Sequence, residues 1–131
     1  MPAAVVMIYP QAPQLEFEAK TMKRTRRDEI DTLLEQTADP NPRVRARAVE
    51  SLCPCHVKRN ERRVWDRVLS LTGDPALEVR RWVFHRLGDG SPREREAEVV
   101  AAMERFTKDA DKNLRRRARG VLAQYRRGNT I

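Results

Sequence analysis

The sequence predicts an all-α chain, a short solenoid of three stacked helix pairs. Two observations carry that expectation. The first is a pattern that recurs three times at a spacing of 35 residues without insertion: Asp39, Val44, Arg45, Ala48, Leu52, then Asp74, Val79, Arg80, Val83, Leu87, then Asp109, Leu114, Arg115, Ala118, Leu122. Thr37, Thr72 and Thr107 stand two residues ahead of the three aspartates. A fixed period of this size marks supersecondary units that cannot bury their apolar face alone and therefore stack. The second is that apolar residues on either side of each aspartate fall at three- and four-residue steps, the signature of two amphipathic helices joined by a turn.

Residues 1–25 stand outside the repeat. Pro2, Pro10 and Pro13 oppose a helix, and Leu15, Phe17 and Ala19 alternate as in an extended arm. Such an arm, extended or disordered, has the end of the first unit to cover, because a terminal unit has no neighbour there. Helices are then predicted over residues 26–37, 42–52, 58–72, 76–87, 92–107 and 112–126. Ile30, Leu33 and Leu34 form the first core stripe; Val64, Trp65, Val68 and Leu69 form its counterpart in the second unit, and Val99, Val100 and Met103 in the third.

Start and stop signals support these spans. Ala38-Asp39-Pro40-Asn41-Pro42 and Gly73-Asp74-Pro75-Ala76 combine an Asx-type turn former with proline, which ends one helix and begins the next. Ser91, Pro92 and Glu94 read as a capping box opening the fifth helix, and Thr25 with Asp28 as a weaker version for the first. Where the earlier units have Val49 and Phe84, the third has Arg119, a charge where stacking ends. The chain thus divides into an arm (1–25), a solenoid of three units (26–52, 58–87 and 92–127) and a tail (128–131).

The turn aspartate followed six residues later by arginine, as Asp-Pro-x-Pro-x-Val-Arg ending at Arg45 and Asp-Pro-x-x-x-Val-Arg ending at Arg80, resembles the HEAT-repeat, armadillo-like family over about residues 26–126. The resemblance implies a right-handed α–α superhelix of three HEAT-like helix pairs, with second helices lining the concave surface. It also implies that Asp39, Asp74 and Asp109 with Arg45, Arg80 and Arg115 turn inward as a hydrogen-bonded ladder. The first helices lack the family's frequent kinking proline, so no bend is expected there.

Composition bounds the function. The chain of 131 residues is 40% apolar and 35% charged, with a net charge of +8, which favours anionic partners. No apolar run is long enough to cross a bilayer, and Met1 to Ile8 lacks the features of a secretion signal; a cytoplasmic setting is expected. The charge is uneven: the second helices carry thirteen Lys or Arg against Glu50, Glu78 and Asp111, whereas the first helices are nearly balanced. Solvated faces normally mix both signs. With Val44, Ala48 and Leu52 inward, a rotation of about 100° per residue sends Arg43, Ala46, Arg47 and Glu50 outward, then Glu78, Arg81, Trp82 and His85, then Asn113, Arg116, Arg117 and Gly120. A groove of Arg43, Arg47, Arg81, Arg116 and Arg117 around Trp82 and His85 suits a polyanion, since guanidinium forks match phosphate oxygens and an indole stacks on bases.

Cys53-Pro54-Cys55-His56 invites a zinc or redox reading, but one period later stands Gly88-Asp89-Gly90-Ser91, so the cysteines occupy the small-residue positions of an inter-unit loop. No metal, no other cofactor and no disulfide framework is expected. No phosphate loop, serine elbow or histidine–carboxylate pair emerges, so no enzyme and no small-molecule substrate is expected. The chain reads as a binding module for nucleic acid or an acidic protein, the latter as an adaptor or scaffold.

Overall fold

The computed structural model describes residues 25–52, 61–128 and 131, the side chains of Thr25 and Arg26 excepted. The N-terminal arm and the Cys53–His56 segment lie outside the described residues. Among the described residues, six α-helices follow in order: α1 Thr25–Gln36, α2 Pro42–Ser51, α3 Arg62–Ser70, α4 Leu77–Gly88, α5 Glu96–Phe106 and α6 Lys112–Arg126. Two single 3₁₀ turns, Leu71–Gly73 and Arg93–Arg95, complete the pathway, and no strand occurs among the described residues.

The three turns between paired helices are built alike, because the same residue types recur in them. Oδ1 of Asp39, Asp74 and Asp109 accepts from the backbone N–H two residues on, at 2.8, 2.9 and 2.8 Å. Each threonine ahead of its aspartate donates its hydroxyl to the carbonyl three residues back, closing the preceding helix. Asn41 caps α2 by accepting from Arg43 N–H at 2.9 Å, with Pro42 preset in the first helical position. Asp111 caps α6 through Leu114 N–H at 3.0 Å.

Boundaries agree with the sequence except at two first helices. The third helix opens at Arg62, after an extended Glu61, and not at residue 58, and it gives way after Ser70 to the 3₁₀ turn Leu71–Gly73. At the fifth, the expected capping box does not form. Ser91 instead gives its N–H and its hydroxyl to the backbone oxygen of Ile131, at 3.3 and 3.1 Å, and residues 93–95 make a 3₁₀ turn before α5 opens at Glu96. Ser91 is turned to the tail instead of to the helix start, and Ile131 is thereby brought into the core.

One continuous core runs through all three units. Val49 and Leu52 of the first, Val79, Val83, Phe84 and Leu87 of the second, and Val99, Met103, Phe106, Leu114 and Leu122 of the third are all buried in it. Phe84 and Phe106 meet edge-on with centroids 5.5 Å apart, joining the second unit to the third. The helix α2 packs along much of α4, whereas α4 and α6 touch far less and α6 leans on α5. Arg119, in the place of Val49 and Phe84, is exposed.

Candidate functional site

Arginine is the commonest charge on this molecule, and its copies fall into groups with different partners. Arg45 uses Nε and Nη2 to grip both oxygens of Asp74 at 3.0 Å, while its Nη1 donates to the carbonyls of Asp39 and Pro40. Arg80 repeats this one unit later, bonding Asp109 at 2.9 and 3.2 Å and the carbonyls of Asp74 and Pro75. Arg115 holds the carbonyls of Asp109 and Ala110 at 2.8 and 2.9 Å. The six residues therefore form a chain of bonds from unit to unit along the turn edge. The Asp74 hydrogen bond raises the pKa of Arg45 further above its ordinary value.

The first helices hold further arginine contacts that the sequence did not single out. Arg63 of α3 reaches Asp31 of α1 at 2.6 Å and Glu61 at 3.0 Å, and these two carboxylates raise its pKa. Arg95 lies between Asp66 and Glu98; burial works to lower its pKa, and the two carboxylates outweigh that. Arg67 donates to the hydroxyl and carbonyl of Thr37 at 2.8 and 3.1 Å. Their signal in the sequence was an arginine about one period after an acceptor on the preceding first helix. These contacts never recur at one fixed offset, so the repeat alignment passed over them.

On the second helices most arginines are unpaired, as are Arg27, Arg62 and Arg105 of the first helices, among the described residues. Arg43, Arg47, Arg81, Arg116 and Arg117 are exposed, and no carboxylate among the described residues lies within ion-pairing distance of them. Arg117 sets its guanidinium 5.0 Å from the centroid of the Phe84 ring, a cation–π contact that fixes it on the face. Trp82 is half-buried and packs against the core rather than standing free, with His85 edge-on at 5.6 Å. Glu50, Glu78, Asn113 and Gly120 are exposed as expected.

Ala46 is a correction: it is buried, at 5% exposure, and belongs to the core. The buried arc of α2 runs through Ala48, Leu52, Val49 and Ala46, while Val44 is only half-buried. α2 packs along α4, and its apolar side turns toward that helix instead of toward the centre line expected from Val44.

Sequence reasoning also assigned no role to Arg86. It is 7% exposed in the last turn of α4, and its Nε and Nη1 have no hydrogen-bond partner among the described residues. The equivalent positions are Ser51 and Val121, so nothing in the repeat marked it as special.

No helix among the described residues is long and apolar enough to cross a membrane. The family model for HEAT repeats matches residues 30–123. No curated protein and no solved structure matches the chain.

Proposed function

Since the chain belongs to the HEAT-repeat family, we propose that it is a non-enzymatic, cytoplasmic binding module that docks an anionic partner on its second helices, and that this partner is nucleic acid. The observation that carries the reading is the partition of arginines. The ladder arginines and Arg63, Arg67 and Arg95 are engaged by carboxylates, carbonyls or a hydroxyl, while Arg43, Arg47, Arg81 and Arg116, on successive second helices, remain exposed without a counter-ion among the described residues. Exposed guanidinium forks on successive helices suit a repeating phosphate backbone, each fork taking two oxygens of one group. Trp82 and His85 add a partly exposed aromatic pair among them, suited to stacking on a base.

Fluorescence polarisation with single- and double-stranded DNA and RNA across a salt series tests this. Five phosphate contacts on duplex DNA give a log–log slope of about −4.5, or a loss of about five hundredfold between 50 and 200 mM salt. Replacing Arg47, Arg81 and Arg116 by glutamate abolishes binding while leaving the melting temperature within about 2 °C of the parent, because all three side chains are exposed. Absence of binding, or a flat salt dependence, sinks the nucleic-acid reading.

HEAT repeats generally mediate protein interactions, which favours a second reading in which the same arginines take an acidic protein segment. In that case a defined protein partner stays bound after nuclease treatment.

A further inference from the structure

Each rung of the turn-edge ladder has two halves. In Arg45 and Arg80, Nη1 is anchored by two carbonyls of the arginine's own turn, and the Nε–Nη2 edge grips an aspartate of the next unit. Arg115 has the same two anchors, on Asp109 and Ala110. Its Nε–Nη2 edge, pre-oriented in the same way, meets no carboxylate among the described residues. At the other end, Asp39 has its Oδ1 engaged by Asn41 N–H, as Asp74 and Asp109 have theirs by the matching N–H. No guanidinium among the described residues donates to the Asp39 carboxylate, and one period before Arg45 stands Pro10, which has none to offer.

The faces that carry these two half-rungs complement each other. Around the third unit's outer face, Arg105, Lys108, Arg119 and Arg126 line a concavity of about 910 Å³, with Glu104 the one acid and Leu122 apolar on its wall. Arg115, Arg119, Leu122 and Arg126 recur at steps of four, three and four along α6, so the open arginine edge and the concavity share one side of the helix. At the opposite end α1 is acidic, with Asp28, Glu29 and Glu35 exposed, while Asp31 is turned to Arg63 of the second unit. The polar substitutions also match. Inside the molecule Phe84 meets Phe106 of the next unit. Arg119 takes the place of Phe84, and Gln36 the place of Phe106, each exposed. Across a junction of two copies, a polar pair thus stands where the internal junction has two rings.

We propose that the partner of this outer face is a second copy of the chain, stacked head to tail, with Arg115 of one copy gripping Asp39 of the next. The contact continues the ladder, with the same bidentate geometry as the two internal rungs. Because it joins unlike surfaces, it grows into open chains unless the rotation closes a ring. Being largely electrostatic, it weakens as salt rises.

Sedimentation velocity on the nuclease-treated full chain, over a concentration series at low salt, tests the proposal. The parent protein passes beyond dimer as concentration rises. Asp39→Asn keeps the acceptor for Asn41 N–H and removes the charge; Arg115→Lys keeps the charge and removes the fork. Each variant alone stays monomeric. An equimolar mixture of the two forms dimers that grow no further, because only one intact junction can be made. Circular dichroism verifies folding, and if Arg115→Lys does not fold, Arg119→Glu, an exposed change on the same face, takes its place. A parent protein that stays monomeric throughout overturns the proposal, as do variants that assemble like the parent or a mixture that stays monomeric. So does a monomeric parent whose Arg115 edge instead binds an acidic peptide.

Discussion

At the scale of single residues, the guanidinium group does three separate jobs here, and position decides which. Asp74 is the most heavily used acid: its side chain, 5% exposed, takes both bonds from Arg45 and also caps its own turn. Replacing it by alanine leaves the Arg45 fork unmatched and opens the turn, at a cost of about 3 kcal/mol, to be read from urea denaturation. Arg86 predicts the opposite sign. Two nitrogens of its buried guanidinium have no hydrogen-bond partner among the described residues, so Arg86→Met removes unsatisfied buried donors and raises stability by about 1–2 kcal/mol, seen as a higher denaturation midpoint. The ladder arginines were legible in the sequence because they recur in register with an aspartate. Arg86 was not, because its row holds serine, arginine and valine and only packing shows that it is buried.

At the scale of elements, helix starts were legible wherever a capping side chain and the N–H it accepts from are close in sequence. Asn41 and Asp111 cap as their types suggest, and Asn41→Ala costs about 1 kcal/mol in chemical denaturation. Ser91 was misread because its partner, Ile131, lies 40 residues away and no local pattern announces it. The turn beside it needs Gly90, whose φ of 108° belongs to a region that side chains resist. Gly90→Ala therefore costs about 1–3 kcal/mol, to be measured against a Gly120→Ala control, since a Cβ at Gly120 meets nothing within 4 Å. The α6–α5 contact has its own titration. Tyr125 bonds Glu96, which raises the phenol's pKa above its usual 10.0. That contribution to stability is complete below pH 10 and is lost as pH rises through the raised value, so the parent loses more of its stability than Tyr125→Phe in alkaline thermal melts.

At the scale of the whole molecule, the period predicted the stack, and the continuous core follows from it, so unfolding is a single transition. Phe106→Ala, at the junction of the second and third units, costs about 3–5 kcal/mol. Tryptophan fluorescence, from Trp65 and Trp82 in the second unit, and far-ultraviolet circular dichroism shift together in that variant. The direction of charge was legible from counting by helix. The orientation of α2 was not, because it is set by packing along α4, a contact between units that no local pattern announces, as buried Ala46 records.

The ladder lies along one edge only, where the turns are. In mechanical terms the molecule is a strip with a stiff hem. Bending that pivots on the turn edge strains few bonds between the second and third units, where α4 and α6 barely touch, and more between the first and second, where α2 lies along α4. The more compliant joint is thus the one where Phe84 meets both Phe106 and Arg117, and the curvature of the basic face is set there.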